Sequence, residues 1–245
     1  MSTFTFNSVS SDTLGLIITR PMIRPTWQPE TEFTPIIGRP RQNPFTKSWF
    51  PNSRISVSAV IADASPANVR TIYDNLRGYG ELVISTSPDE YVNAYARLPV
   101  PEAQALLMAE LPVEFECEPF AYSNSLSTVN ITSATSYQTI DYSGTAFSDP
   151  QIAYIASKAT TTFDCNGKTI TITTPSEIVL AGYPNTYIIT LDCEGELAYY
   201  KKPNGDKVAC TELTHGIFPR LHESLNYILH DGVSAASLTY RERWY

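Results

Sequence analysis

Only one stretch of this 245-residue chain carries a clear helical period, and that scarcity governs what the rest can fold into. In the segment Ser65–Gly78, Ser65 is a natural N-cap and Pro66 suits the first helical turn. Val69, Ile72, Tyr73 and Leu76 then fall at i, i+3, i+4 and i+7, which makes one apolar stripe. Gly78 supplies the left-handed residue that commonly closes such a helix. Glu102–Glu110 is a weaker helix candidate that also reads as a loop. Everything else must be strand, turn or irregular chain.

Strand signals fill most of that remainder. Thr3–Asn7 alternates Thr and Phe, and Ile55, Val57, Ala59 and Ile61 alternate with Ser56, Ser58, Val60 and Ala62, a half-buried pattern. Glu81–Thr86 and Tyr91–Leu98 flank Ser87–Glu90, whose Pro88 and Asp89 suit a hairpin turn. Val113, Phe115 and Cys117 alternate with Glu114, Glu116 and Glu118, so three carboxylates share one face of a strand. The Ser/Thr-rich segment Ser123–Ser136 marks a boundary. Beyond it, short strands at 152–156, 168–173, 187–191, 196–200, 225–229 and 237–244 recur. Their turn signals are Asn166-Gly167, Pro203-Asn204-Gly205 and Asp231-Gly232. The expectation is a mixed, β-rich first half and an antiparallel sandwich in the second.

Composition narrows the function. The chain carries 18 Pro, 15 Tyr and 10 Phe, which favour strands and turns, and only 17% charged residues with 42% apolar, which excludes a disordered chain. A formal charge of −8 argues against sequence-independent nucleic-acid binding and against an anionic membrane surface. No apolar run is long enough to span a bilayer, and the first twenty residues lack the pattern of a secretory signal, so a soluble intracellular product is expected. Cys117, Cys165, Cys193 and Cys210 form no CxxC pair and read as free, buried thiols.

Catalytic signals are thin. His215, His222 and His230 match neither an i, i+4 pair nor zinc-ligand spacing, and read as surface or half-buried side chains. There is no GxSxG, P-loop or GxGxxG. The Glu114, Glu116, Glu118 row reads first as a solvated strand face, and only remotely as the carboxylate pair of a glycosidase. Trp27, Trp49 and Trp244 and the tyrosines could line a sugar platform, but core packing and subunit contacts account for them better. No catalytic residue, metal ligand or cofactor is assigned.

The order of these features resembles the distal tail proteins of long, non-contractile-tailed bacteriophages. The resemblance runs over nearly the whole chain. It is carried by Phe4-Thr5-Phe6-Asn7, Leu14–Ile18, Ile37-Gly38-Arg39, the helix Val69–Gly78, Glu81–Thr86, Pro88–Tyr91 with Tyr95, and the strand Val113–Tyr122. In the second half it rests on Tyr142-Ser143-Gly144, Pro150–Ile155, Asn166-Gly167, Ile188–Asp192, Phe218-Pro219, Leu225-Asn226 and Tyr240–Trp244. Ser8 and Ser224 stand where the family's pattern has glycine.

The resemblance implies a mainly β protein. Residues 1–130 would be an N-terminal β-rich, ring-forming domain with one α-helix, and residues 131–245 a C-terminal galectin-like antiparallel β-sandwich. It implies a homo-hexameric ring at the distal end of the tail, joining the tail tube protein to the tail-tip spike protein and leaving a channel for DNA. The C-terminal domain would carry receptor-binding or other tail-tip proteins. The place would be the virion, after assembly in the host cytoplasm, with DNA met only in passage and no membrane insertion. The chain lacks the long insertion that adds a carbohydrate-binding module in some relatives. A heterologous contact that closes after six copies fits such a hub.

Two groups of site residues follow from that role. A wall past which DNA slides should not grip phosphate, so Glu114, Glu116 and Glu118 are candidates for lining the channel. The segment Arg39–Pro51 mixes Arg, Phe and Trp with prolines that lower the entropy lost on docking. It makes Arg39, Arg41, Phe45, Trp49 and Phe50 candidates for an arm reaching a neighbouring subunit. The alternatives are a free-standing lectin-like module using the second-half sandwich, or another tail tube or hub component.

Overall fold

The structure, a computed structural model, describes residues 2–24, 26–35, 42–46, 50–99, 109–132 and 135–245. It falls into two compact units, Met1–Asn124 together with Tyr245, and Ser125–Trp244.

The first unit holds β1 (Phe4–Phe6), β2 (Val9–Ser10), β3 (Leu16–Ile18), β4 (Thr31–Pro35), β5 (Gln42–Thr46), β6 (Ser53–Ile61), α1 (Pro66–Leu76), β7 (Gly78–Ile84), β8 (Ser87–Arg97) and β9 (Ala109–Ser123). Antiparallel pairing sets the order β2-β1-β7-β8-β9-β6-β3, while β4 and β5 form a separate two-stranded ribbon. The inward residues of these strands are the apolar ones that alternation marks. Phe4, Phe6, Ile55, Val57, Leu82, Val92, Val113, Phe115 and Cys117 are all buried. Phe115 meets Phe4 edge-on at 5.3 Å and Phe6 at 5.5 Å. Burial of each such ring contributes about 2–3 kcal/mol.

Helix α1 is built as its sequence requires. The Ser65 hydroxyl accepts from the Asn68 N–H at 3.4 Å, Pro66 opens the helix, and Ile72 and Leu76 are fully buried. Gly78 has a φ of +92°, and β7 starts there directly. A second glycine, Gly80, is required by contact: the Asn7 side chain lies over it, accepting from the Glu81 N–H at 3.1 Å and donating to the Tyr79 carbonyl. The β1–β2 turn places both Asn7 (φ +48°) and Ser8 (φ +68°) in the left-handed region, so the mirror-image hairpin turn forms without glycine.

Two expectations need adjustment here. The β7–β8 connection is Ser85-Thr86, while Ser87–Glu90 already belongs to β8. The Pro88 and Asp89 carbonyls there accept from the Asn124 side chain and backbone. The helix candidate Glu102–Glu110 lies largely outside the described residues, and its last residue is in β9.

The second unit holds β10 (Ser127–Ile131), β11 (Gln138–Tyr142), β12 (Gln151–Ala156), β13 (Thr160–Cys165), β14 (Lys168–Thr173), α2 (Ser176–Leu180), β15 (Ile188–Asp192), β16 (Leu197–Lys201), β17 (Lys207–Ala209), β18 (Thr214–Gly216), β19 (Ser224–Asp231) and β20 (Val233–Tyr240). Two antiparallel sheets, β10-β20-β12-β15-β16-β17 and β11-β19-β13-β14-β18, enclose one core that includes Ile152, Tyr154, Phe163, Ile170, Ile189, Leu191, Ile228 and Leu238. This is the antiparallel sandwich expected of the second half, and the fold as a whole is mainly β. Asn166 (φ +54°) and Gly167 (φ +77°) turn β13 into β14.

All four cysteines are free and buried, and burial pushes the Cys117 thiol up to about 12 and those of Cys165 and Cys210 up to about 11. His230 departs from the surface or half-buried placement expected of it. On β19 the residues Asn226, Ile228 and His230 alternate inward, which carries the imidazole into the core beside Phe163. No helix among the described residues is long and apolar enough to cross a membrane.

Candidate functional site

The carboxylate row sits where its alternation requires. In β9, Leu111, Val113, Phe115 and Cys117 point into the core, and Glu114, Glu116 and Glu118 emerge together on the outward face. Register then determines what surrounds them. Glu116 stands opposite Tyr95 of β8 on one side and Arg54 of β6 on the other, and Glu114 stands opposite Arg97 and Ser56.

The row is not uniform. Glu116 forms an ion pair with Arg97 and accepts from the Asn52 side chain at 3.4 Å. Glu118 accepts from the Tyr79 hydroxyl at 3.0 Å. Loss of solvent around that hydroxyl, and then its bond to the carboxylate, push the Tyr79 phenol up to about 12. Glu114 is exposed and has no ion-pair partner among the described residues.

Cross-strand register gathers tyrosines beside the carboxylates. Tyr79 of β7 is registered with Tyr95 of β8, at 56% and 50% exposure, and Tyr91 of β8 stacks on Tyr122 of β9 at 5.4 Å. Between Val92 and Ala94 the β8–β9 pairing is interrupted by a bulge, and Phe120 takes a φ of +80° there. Asn52, Tyr79, Tyr95, Arg97, Glu116 and Glu118 line an open depression of about 530 Å³. Sequence alternation finds the carboxylates. The tyrosines converge from three separate strands, so no local spacing announces them.

Of the arm candidates, Arg39, Arg41 and Trp49 lie outside the described residues. Phe45 lies in β5 opposite Glu32 of β4. Phe50, at the base of the segment, stacks on Tyr245 at 4.8 Å and meets Phe120 edge-on at 5.3 Å. The Tyr245 carbonyl in turn accepts from Arg24, which is paired with Glu90.

In the second unit Tyr142, Gly144 and Arg243 of the motifs meet through hydrogen bonding and close contact, and Arg243 is also ion-paired. Asp149 accepts from Arg220 at 2.6 Å and from Arg243 at 3.3 Å, and Arg243 also reaches Glu194 at 2.7 Å. The Tyr142 hydroxyl donates to the Ala146 carbonyl at 2.7 Å and accepts from the Arg243 N–H at 2.9 Å, directly over Gly144, where no side chain would fit. These are structural arrangements: each buried charge is met by an opposite one. His215, His222 and His230 stay on separate segments, and among the described residues no group of three or more His, Cys, Asp or Glu could hold a metal ion.

No family model matches the sequence, and no curated protein matches it. Among solved structures, the crystal structure of SPP1 Dit (gp 19.1) is similar with a TM-score of 0.77 over 100% of both chains, at 15% sequence identity. That protein is described as a paradigm of the hub adsorption apparatus in phages infecting Gram-positive bacteria. The chain has the Dit fold.

At that identity the likeness is one of fold, and it extends through both units. It accounts for motifs that look unconnected in the sequence. In this Dit fold, Asn7 sits over Gly80, Tyr142 and Gly144 pack on Arg243, and Asn166 meets Asn226.

Proposed function

We propose that the chain is a structural hub protein of a long-tailed phage. Six copies would close into a ring at the distal end of the tail, between the tail tube protein and the tail-tip spike protein. The observation that carries this reading is similarity to SPP1 Dit over the full length of both chains. A match confined to the sandwich would have fitted a free-standing lectin-like module equally well.

In this reading the first unit makes the ring and the second projects from it to carry receptor-binding or other tail-tip proteins. Glu114, Glu116 and Glu118 line the channel, where carboxylates keep DNA phosphates from adhering. Arg39, Arg41, Phe45, Trp49 and Phe50 belong to an arm that reaches the next subunit. Two features support such an arm. A two-stranded ribbon like β4–β5 is marginal in water without something to pack on, and prolines within it restrain its conformations. Trp49→Ala is expected to speed dissociation of the oligomer, and unchanged dissociation would place the binding energy elsewhere.

Immunogold labelling of virions with antibody to this chain tests the assignment. Gold confined to the distal tail end is expected. Gold along the whole tail would indicate a tube protein instead, and absence of the chain from virions would overturn the hub.

A further inference from the structure

The depression on the outward face of β7, β8 and β9 has a composition that DNA avoidance alone does not require. Carboxylates suffice to repel phosphate. Here they are accompanied by Tyr79 and Tyr95, half-exposed neighbours in register, with Tyr91 and Tyr122 stacked further along the same face. Aromatic faces beside carboxylates are the surroundings that a planar cation prefers, because ring quadrupole and carboxylate attract it together.

We propose that this face is a binding site for an arginine-bearing peptide segment of another protein, seated on Tyr79 and Tyr95 with its guanidinium against Glu118. The site stands on one subunit and does not depend on ring closure, and in the ring the segment must leave Glu118 before DNA passes the same carboxylates.

Three observations support that occupant over others. The depression already holds one guanidinium in cis, that of Arg97 on Glu116, so its geometry accommodates the group. Glu118, the next carboxylate along the strand, is held by the Tyr79 hydroxyl through a single described bond. A carboxylate can accept several more, and a guanidinium fork can supply two in parallel. The charge of the face is complementary as well. Glu81, Glu114, Glu116 and Glu118 outnumber Arg54 and Arg97 on the outward positions of β6 to β9, within a chain of net charge −8. A neutral glycan would use the tyrosines but gain nothing from that excess.

The test is titration of the full 245-residue chain with a hexa-arginine peptide at low salt, followed by tyrosine fluorescence and by NMR of the ring and amide signals. Binding is expected to shift Tyr79, Tyr95 and Glu118, and to weaken about tenfold in the Tyr79→Leu, Tyr95→Leu double variant, which leaves net charge unchanged. Glu118→Gln should weaken it further, and Glu212→Gln, remote in sequence, should not. If the double variant binds as tightly as the parent, the attraction is general to a polyanion and the site is refuted. Failure to bind at about 1 mM peptide refutes it too. So does preferential binding of a neutral oligosaccharide with the same tyrosine dependence. The shift map of the parent chain decides the matter on its own should the double variant fold poorly.

Discussion

Asn166 donates its side-chain amide to Oδ1 of Asn226 at 2.8 Å, which fastens the β13–β14 turn to the inner face of β19. Asn226 is wholly buried, yet its amide is saturated. It also accepts from the His222 N–H at 2.8 Å and donates to the His222 and Ser224 carbonyls at 2.9 and 3.0 Å. Asn226→Ala strands several of these partners at once, so it should destabilise the second unit by about 2–4 kcal/mol in urea unfolding. A double-mutant cycle with Asn166→Ala should show positive coupling. A loss under about 0.5 kcal/mol would mean that water replaces the amide without cost.

Ser8 and Ser224 occupy positions with φ of +68° and +78°. These are the two places where the resembled family's pattern has glycine. An L-residue is strained in that region, although glycine there gives back some of the gain as unfolded-chain entropy. Ser8→Gly and Ser224→Gly are each expected to stabilise by about 0.5–1 kcal/mol, read as a raised melting temperature. Destabilisation by either would show that the hydroxyl has a role the backbone geometry does not reveal.

His230 makes the second unit sensitive to mild acid. Burial lowers its pKa below the ordinary 6.5, outweighing the Ile131 backbone and the Asp231 carboxylate, which favour the charged ring. At neutral pH the group is uncharged folded or unfolded and has no effect. As pH falls through about 6.5 the unfolded chain takes up a proton that the native state refuses. Stability should therefore drop, by at most about 1.4 kcal/mol per pH unit, and level off below the folded pKa. Asp231 and Glu177 are held below the usual carboxyl range by Lys158 and Lys202, so their contributions fade only at lower pH. Denaturant melts from pH 7 to 5 should show the decline in the parent and lose it in His230→Leu. An equal slope in both would assign the effect elsewhere.

Much of the fold was legible because the half-buried strands keep a strict period of two. The rows Ile55–Ile61 and Val113–Cys117 and the helix stripe Ile72–Leu76 lie where alternation and helical period put them. What stayed hidden used polar residues on inward faces. β13 reads Thr-Thr-Thr-Phe-Asp-Cys, and its Thr161 is fully buried because its hydroxyl donates to the Gly232 carbonyl. His230 is likewise a polar residue on an inward face, one strand away. At the site, Glu114, Glu116 and Glu118 were visible from spacing. Tyr79, Tyr95, Tyr91 and Tyr122 were not, since only cross-strand register brings them together.

Charge on the β9 face is the next variable. The combined Glu114→Lys, Glu116→Lys, Glu118→Lys variant should impair DNA delivery while ring assembly continues, since the positions point away from the core. Infectivity and DNA release in vitro are the readouts. Normal infectivity with the triple variant in the virion would remove these residues from the channel wall.

The central claim is a closed ring of six copies, and the solution mass of the purified chain tests it most directly. Light scattering should give about six times the 27.2 kDa protomer, with annular particles and a central hole in negative stain of the same fraction. A monomer that persists at every concentration, alone and with the tail-tip spike protein added, would contradict it.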